Sequence, residues 1–474
     1  MGVQNTANDL LLALRLGHAL SLRQQLSLII RLSLPAILAQ ISSIVMQYID
    51  AAMAGRLGAD ASAAIGLVST TTWLFGGVCM ALTTGFTVQV AQHIGASNER
   101  GARSIMKQGL VLALSFSLLL TFLAVAIHRE LPFWLGGEAQ LAGMASNYFV
   151  LYMLALPFLQ TNSLAGGMLQ GSGNMRLPSM LSVLTCFLDV VYNALLIFPT
   201  RRLWFMDHAL LLPGAGLGVS GAALGTALAS ATTACMMLFF LLFRSPMLRL
   251  HAGEGLVFSG EVITRALKLA LPVGFEQLVM CGAQVASTKI VAPLGTVAIA
   301  ANSFAITAES LCYMPGYGIA LAATTLIGQS IGAKRTDLIK RLAWMTTLIG
   351  MLVMGVAGVL MYFLAPLMMA SLSPDAAIQS LGSSVLRIEA FAEPLYAASI
   401  VATGVFRGAG DTLVPSVINF ISMWFVRLPL AVWLTPYLGL RGVWLAMCIE
   451  LCVRGALFLG RLARARWQQT DVEQ

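Results

Sequence analysis

Long apolar stretches separated by short polar segments make up most of this chain. A helix that crosses the hydrocarbon core of a bilayer needs about 20 apolar residues, and the stretches reach this length. The pattern therefore predicts an all-α membrane protein with twelve spanning helices, at residues 32–55, 62–93, 106–127, 142–169, 177–198, 216–243, 267–292, 299–328, 342–366, 380–406, 414–435 and 440–460. It lacks the alternating segments of about 10 residues that are typical of a membrane β-barrel.

The second half of the chain repeats the first at an offset of 237 residues as far as the fifth predicted helix, and this offset takes Pro35 to Pro272. Six predicted helices per half is an even number, so both halves enter the membrane from the same side. The repeat therefore predicts two parallel six-helix halves around a shared cavity. Extra residues near 201–216 of the first half are predicted to form an external loop. Two further matched pairs of segments are AQHIGASNER (91–100) with GQSIGAKRTD (328–337), and LQGSGNMRLPS (169–179) with FRGAGDTLVPS (406–416).

The composition agrees with an integral membrane protein. Of the 474 residues, 58% are hydrophobic and 10% are charged, and the mean hydropathy is +0.83. A net charge of +8 could indicate a nucleic-acid partner, but the basic residues lie in short segments between apolar stretches. Most of them lie on the side of the N-terminus. This distribution argues against nucleic-acid binding and predicts a multi-pass protein with both termini in the cytoplasm. We expect the membrane to be the bacterial inner membrane.

These boundaries divide the chain into five segments. We expect a cytoplasmic amphipathic segment at 1–31, a first lobe at 32–243, a cytoplasmic linker at 244–266, a second lobe at 267–460 and a cytoplasmic tail at 461–474. The N-terminal segment has an interrupted apolar pattern and no small-residue cleavage site. It is therefore predicted to be a helix on the membrane surface rather than a signal peptide.

Several acidic residues fall within the predicted spans. A carboxylate at bilayer depth costs about 2.5 to 3.5 kcal/mol even on lenient scales, so it is expected to face a protein interior or a water path. None of these acids has an acid at its repeat partner. Each was therefore placed by something other than the scaffold that the halves share. The acids are Asp50, Asp189, Glu276, Glu309, Glu389, Glu393 and Glu450. Glu450 lies one helical turn before Arg454, and for this pair packing is the favoured interpretation.

In their order and spacing, five segments resemble the multidrug and toxic compound extrusion (MATE) family. The resemblance extends from about residue 32 to 461 and implies two six-helix lobes that form a V-shaped central cleft. It also implies alternating access and the export of amphipathic, often cationic compounds against an inward flow of Na⁺ or H⁺. The segments are IDAAMAGRLG (49–58), VQVAQHIGASN (88–98), ESLCYMPGYGIALAATT (309–325), TLIGQSIGAKR (325–335) and RGAGDTLVPS (407–416).

The resemblance further implies a cation-coupling site in the first lobe. The family's acid at the end of the first helix corresponds to Asp50, and its Asn-x-x-x-Asp pair on the fifth helix appears here in reverse order, as Asp189 and Asn193. Thr226 matches a threonine of the sixth helix. These side chains offer the oxygen ligands that Na⁺ prefers, with Asp50, Asp189 and Asn193 as ligands if sodium drives transport. Two neighbouring acids could instead take up a proton, and a structural hydrogen-bond network is the remaining alternative.

A second group of candidates lies in the second lobe. The resemblance gives a general expectation for Glu276, whereas Glu309, Glu389 and Glu393 are inferred from the residues alone. Glu389 and Glu393 are one helical turn apart and would repel each other if both were ionised. We therefore expect one of them to be protonated or paired with a cation of a neighbouring span. The available cations are Arg427 and Lys289, and a neutralised salt bridge with Arg427 is the structural alternative.

Methionines and aromatic residues could line an adaptable apolar cleft, because methionine repacks easily and aromatic faces attract cations. The predicted cleft residues are Gln40, Trp73, Gln277 and Tyr313. The glycine turns near 171 and 408 lack the Gly-Lys-Ser/Thr ending of a phosphate-binding loop, so no ATP site is expected. We expect no enzymatic activity, no cofactor other than the coupling ion, small-molecule drugs or toxins and membrane lipid as partners, and a monomer.

Three other functions remain open at this stage. A lipid-linked oligosaccharide flippase of the same superfamily would need a wide, strongly basic cleft, and the candidate cations for it are Lys289, Arg427 and Arg454. A major-facilitator carrier shares the six-plus-six plan, but IGASNERGARS (94–104) lacks the Asp-Arg signature of its second-to-third loop. A membrane receptor or scaffold that transports nothing is the third alternative.

Overall fold

A computed structural model of the chain describes residues 7–205, 208–251, 253–464 and 467. Almost all of this part is helical. The helices are α1 (Ala7–Arg15), α2 (Leu22–Gly55), α3 (Ala59–Gly95), α4 (Glu99–Ile127), α5 (Leu131–Trp134), α6 (Ala139–Leu154), α7 (Leu156–Gly171), α8 (Arg176–Leu196), α9 (Val219–Phe239), α10 (Gly260–Val291), α11 (Thr296–Gly332), α12 (Thr336–Leu372), α13 (Ala376–Glu389), α14 (Glu393–Ala409), α15 (Leu413–Ile421), α16 (Leu428–Leu438) and α17 (Leu440–Arg464). Short π-helical segments at Phe240–Arg244 and Ser422–Arg427 and a 3₁₀ turn at Ala292–Leu294 extend or join them.

Each of the twelve predicted spans falls on helical structure. By length and composition, 10 continuous helical stretches of the described residues can cross a membrane, and the pair α6 and α7, bent by 41°, adds an eleventh. The remaining predicted span, 380–406, is divided between α13 and α14. Both divisions have the same cause, because Pro157 and Pro394, which the repeat pairs, stand in the first turns of α7 and α14. Proline lacks an N–H group and fits the first turn of a helix, whereas in a helix interior it removes a hydrogen bond and can bend the helix.

The three largest clusters of buried side chains among the described residues are one in each half and one that joins the halves. The first-half cluster includes Phe86, Met106 and Leu164, and the second-half cluster includes Met361 and Trp444. The joining cluster combines the start of the chain with the second half. It brings α1 and the beginning of α2 against α11, α12, α14 and α17, through Leu14, Leu28, Ile29, Leu326, Leu342, Phe406 and Phe458.

The N-terminal segment differs from the expected surface helix. Its helix α1 buries Leu10, Leu11 and Leu14, which are 0–2% exposed, in the joining cluster. The first spanning helix begins at Leu22, well before residue 32, because Ser21 and Gln24 form a capping box. In this box, Ser21 Oγ accepts from the Gln24 N–H at 3.3 Å and Gln24 Oε1 accepts from the Ser21 N–H at 2.9 Å. These bonds satisfy backbone donors that a helix start otherwise leaves free.

The extra residues of the first half form a β-hairpin where a loop was predicted. Strands β1 (Pro199–Phe205) and β2 (His208–Ala215) pair antiparallel. The Thr200 hydroxyl donates to Gly214 O at 3.2 Å and accepts from the Gly214 N–H at 3.1 Å. The first strand is rich in residues that favour strands, but their pairing partner could not be identified from one sequence. At the other end of the chain, the predicted tail beyond residue 464, apart from Trp467, lies outside the described residues.

The linker between the halves is attached to the first half through Glu254. Arg103 donates to both Glu254 carboxylate oxygens, with Nε at 2.9 Å from Oε2 and Nη2 at 2.7 Å from Oε1. Lys107 Nζ lies 3.6 Å from Oε2. The hydrogen bond from Arg103 lowers the pKa of Glu254 from its ordinary 4.5 to about 2. A lowered pKa means that this contact stabilises the attached linker above the ordinary pKa and is lost as the pH falls through about 2.

This attachment predicts a pH-dependent release of the linker. In the unaltered protein, pepsin cleavage near the exposed Leu256 should be slow at about pH 4 and fast at about pH 2. In Glu254→Gln it should be fast at both values, because the ion pairs are gone. Glu261→Gln, which alters an acid in the first turn of α10, is the matched control and should behave as the unaltered protein does. Equal cleavage of all three proteins at about pH 4 would show that Glu254 does not attach the linker to the first half.

Candidate functional site

Asp50, Asp189 and Asn193 meet in the first half between α2 and α8. The amide of Asn193 donates to Asp50 Oδ1 and to Asp189 Oδ2, both at 2.9 Å. Asp189 and Asn193 share one face of α8 because they are one turn apart. Both are buried, at 0% and 1% exposure, whereas Asp50 is half-buried. The reversed order of aspartate and asparagine therefore still brings all three side chains together.

The site has oxygen atoms that its own residues leave without donors. Asp189 Oδ1 and Asn193 Oδ1 are buried and have no hydrogen-bond partner among the described residues. Thr226 of α9 interacts with Asp189, although no hydrogen bond of ordinary geometry joins them. Two carboxyl groups in mutual contact away from water need a compensating positive charge or a proton. The carboxylate, amide and hydroxyl oxygens match the shell of Na⁺, and the same carboxyl pair can take up H⁺.

Two features of this site were not identified from the sequence. A Cβ at Gly225 of α9 would overlap Asn193 Oδ1, so this glycine provides the space that Asn193 occupies. Tyr148 and Tyr152 of α6 stack on each other with ring centroids 6.1 Å apart and lie close enough to Asp189 to interact with it electrostatically. The position of Tyr152 one turn after Tyr148 was a weak signal, since such pairs occur in many helices.

In the second half, both carboxylate oxygens of Glu276 on α10 accept hydrogen bonds. Its Oε1 accepts from Asn419 Nδ2 at 2.6 Å, and its Oε2 accepts from Ser416 Oγ at 2.8 Å. Arg407 Nη2 lies 3.4 Å from Oε2. Each oxygen of this carboxylate therefore has a hydrogen-bond donor, and one of them also has a cation nearby. Glu276 therefore differs from the acids of the first-half site, which are not satisfied in this way.

Glu309, Glu389 and Glu393 form a separate buried acidic cluster. They are 5%, 0% and 0% exposed and interact electrostatically with one another. The four carboxyl oxygens of Glu389 and Glu393 have no hydrogen-bond partner among the described residues. A buried carboxylate without donors is much more costly than a neutral acid. The geometry therefore suits protonated side chains at Glu389 and Glu393.

The expected pairing of these acids with Arg427 is not observed. Arg427 instead donates to Glu450 Oε2 from Nε at 3.0 Å and from Nη2 at 2.6 Å. Arg454 Nε lies 3.1 Å from Glu450 Oε1, one helical turn away. Glu450 is fully buried, and its carboxylate contacts both arginines. Lys289, the other proposed partner of Glu389 and Glu393, is exposed.

The four predicted cleft residues lie on four different helices, two in each half. Gln277 of α10 packs against Gly77 of α3, across the boundary between the halves. Tyr313 lies beside Tyr317 and Tyr396 in the second half, at ring distances of 6.0 and 5.7 Å. Trp73 is 62% exposed, and Gln40 is half-buried on α2. An open groove of about 660 Å³ runs along α16, and none of the four residues lines it.

Comparison with known proteins gives a consistent family assignment. A family model described as MatE matches residues 35–195 and 272–433, once in each half. The "probable multidrug resistance protein NorM" of Thermotoga maritima is 28% identical over 455 residues, covering 94% of this chain and 93% of that protein. The protein of the same name from Chromobacterium violaceum is 24% identical and covers 94% of each chain.

Solved structures share the fold. An outward-facing multidrug resistance MATE family transporter of the MOP superfamily has a TM-score of 0.84 at 20% identity, over 92% of this chain and 95% of that one. A MOP superfamily transporter from Pyrococcus furiosus has a TM-score of 0.86 at 20% identity, over 97% and 99%. The predicted all-α fold with two repeated halves is confirmed by these likenesses.

The two regions matched by the family model begin at Pro35 and Pro272, the residues that the internal repeat pairs. Together they make up more than half of the chain. The family inferred from the sequence motifs is therefore confirmed, and the chain belongs to the MatE family of transporters.

Proposed function

We propose that this protein is a secondary active antiporter that exports amphipathic or cationic small molecules in exchange for H⁺ or Na⁺ by alternating access. The observation that carries the proposal is the first-half site, where Asn193 holds Asp50 and Asp189 together and buried oxygens remain without donors. Such a site gains more from a bound cation or proton than a satisfied network would. The names of the NorM relatives support small-molecule drugs as the exported class.

Exchange requires that the coupling ion and the drug favour opposite conformations. The ion compensates the negative charge of Asp50 and Asp189 and so stabilises the conformation in which the two side chains are closest. A drug that binds better to the other conformation is then released when the ion binds, because the two affinities are linked. The half-buried Asp50 provides the side from which the ion enters, whereas Asp189 is fully buried.

The proposal includes the placement of the protein in the membrane. The basic segments support an inner-membrane protein with both termini in the cytoplasm. We further propose that it works as a monomer, without ATP, without a cofactor and without enzymatic activity.

Efflux from proteoliposomes tests this function directly. A fluorescent cationic dye should leave liposomes that contain the protein faster when an inward Na⁺ gradient or an inward H⁺ gradient is imposed, and the two gradients are applied separately to identify the ion. Added ATP should have no effect. Dye efflux that responds to neither gradient would rule out the antiport, and liposomes without protein provide the background rate.

The flippase alternative is disfavoured by the partners of the intramembrane cations. A strongly basic cleft needs free positive charge, but Arg427 and Arg454 both contact Glu450. Lys289 is exposed, whereas the side chains of Arg427 and Arg454 are only 15% and 7% exposed. The cations that the sequence offered for a lipid-linked anionic substrate are therefore not assembled into one surface.

We also propose that the acidic cluster of the second half is a further protonation site. Glu393→Gln should leave the melting temperature nearly unchanged, since glutamine resembles the neutral acid and substitutions without a lost contact stay within about 0.5 kcal/mol. The same variant should slow proton-driven efflux. Glu276→Gln gives the contrast, because it removes an ion pair and a hydrogen-bond acceptor, at a cost of about 1–3 kcal/mol. A larger loss of stability in Glu393→Gln than in Glu276→Gln would contradict the protonated state.

A further inference from the structure

The two halves touch where α3 and α11 end. A Cβ on Gly332 would overlap the carbonyl oxygen of Gln92, and a Cβ on Gly95 would overlap the carbonyl oxygen of Gln329. The repeat pairs Gly95 with Gly332 and Gln92 with Gln329. The contact is therefore two-fold symmetric, and its closeness depends on glycine at both positions. We call this contact the seam.

Two matched hydrogen bonds cross the seam. Gln92 Nε2 donates to Gly408 O at 3.2 Å, and Gln329 Nε2 donates to Gly171 O at 2.7 Å. Gly171 and Gly408 are themselves repeat partners at the ends of α7 and α14. Each glutamine thus binds the glycine turn of the opposite half, and both bonds must break if the halves separate at this end.

The side-chain oxygen of each glutamine also accepts from an arginine, but the two arginines are not repeat partners. Gln92 Oε1 accepts from Arg265 Nη2 at 2.8 Å. Gln329 Oε1 accepts from Arg15 Nη2 at 3.0 Å and from its Nε at 3.2 Å. Arg265 belongs to the spanning helix α10, whereas Arg15 belongs to α1, which precedes the spans. A separate helix therefore completes one half of the symmetric arrangement.

Helix α1 is held by both halves. Arg15 Nη2 donates to Ser172 O of the first half at 3.2 Å, and Leu11 packs on the neighbouring Gly173. Arg335 of the second half donates to His18 O at 2.9 Å. Burial lowers the pKa of Arg15 to about 10, so its guanidinium stays charged at neutral pH. Arg15 is thus a charged bridge between the two halves at the seam.

We propose that α1 is a latch that keeps the two halves closed at this end and is released from the first half when the transporter opens there. The proposal rests on the alternating access proposed above. The leucines of α1 belong to the apolar cluster that includes Leu326 and Leu342 of the second half together with Leu28 of α2, so α1 is anchored there apart from its contacts with Ser172 and Gly173. Opening then breaks the contacts of Arg15 and Leu11 with Ser172 and Gly173. The charge-assisted bonds of Arg15 oppose that step.

A cysteine placed inside the seam reports its opening. Ala91 is 1% exposed and faces Gly328 of the other half, so Ala91→Cys in a background without the native cysteines should react slowly with a maleimide. Arg15→Ala should raise this rate about ten-fold, equal to about 1.4 kcal/mol. Removal of residues 2–17 should raise it at least as much. Arg15→Lys should lie between, because lysine keeps the charge but lacks the planar fork that reaches Gln329 and Ser172 together.

Two controls make the result decisive. Arg23→Ala alters an exposed arginine in the first turn of α2 and should leave the rate unchanged. Gly332→Ala forces the seam apart and should raise the rate whatever α1 does. A reporter that responds to Gly332→Ala but not to Arg15→Ala or to the truncation would overturn the proposal. The measurement needs no ion gradient and no drug, so a failure of the proposed antiport would be seen separately, in the dye-efflux experiment.

Discussion

Asp50→Asn is expected to reduce ion-driven dye efflux to the rate of liposomes without protein, while the protein still folds and inserts. Asparagine keeps the shape of the side chain, and its Oδ1 can still accept from Asn193 Nδ2, which lies 2.9 Å away in the unaltered protein. It carries no negative charge, so it neither attracts Na⁺ nor takes up H⁺ near neutral pH. The measurement is efflux in proteoliposomes together with the amount and melting temperature of the purified variant.

Asp60→Asn is the matched control for this variant. Asp60 is exposed in the first turn of α3, outside the cluster around Asn193, so its loss should leave coupled efflux intact. Full ion-driven efflux by Asp50→Asn would show that Asp50 is not the coupling residue. Loss of efflux with a melting temperature far below that of the unaltered protein would show a structural role instead.

Glu450→Ala is expected to be the most destabilising single change in the second half. It leaves Arg427 and Arg454 buried next to each other without the carboxylate that both contact. Removal of one partner of a buried ion pair typically costs about 3–5 kcal/mol, because the remaining charge is left uncompensated. Thermal unfolding of the purified protein should show a large fall in melting temperature. Glu130→Ala, at an exposed position before α5, should change it little.

A double variant separates charge from packing. Glu450→Gln alone should be nearly as unstable as Glu450→Ala, since two arginines again lack their partner. Glu450→Gln combined with Arg427→Gln restores the net charge of the cluster and should recover much of the loss. If the loss of stability in the double variant, measured from the unaltered protein, equals the sum of the losses in the two single variants, the two side chains do not act as a pair.

Hydropathy and the internal repeat were sufficient to predict the spans, because both depend on many residues at once. They did not reveal the breaks between α6 and α7 and between α13 and α14. Pro157 and Pro394 were visible in the sequence and were known to match, but proline also occurs within spanning helices such as α2 and α10. Only the neighbouring helices decide whether a proline bends a span or divides it.

The candidate sites were predictable to the extent that they depend on local spacing. Asp189 and Asn193 were expected to share a face, and Glu450 was expected to lie near Arg454. The partner of Arg427 was not predictable, because Glu450 and Glu389 both lie in other spans and the choice is made by tertiary packing. The burial of α1 was missed for the same reason. Its amphipathic pattern fits a membrane surface and a protein groove equally well.

The crossing of Gly95 and Gly332 has a mechanical consequence. Helices that meet through interlocking side chains must lift knobs out of holes before their angle can change. Here the backbones of α3 and α11 are in direct contact, so no side chains interlock at the crossing point. The angle between the two helices can therefore change at a low energetic cost at the crossing itself, and the polar contacts around it provide most of the barrier to switching.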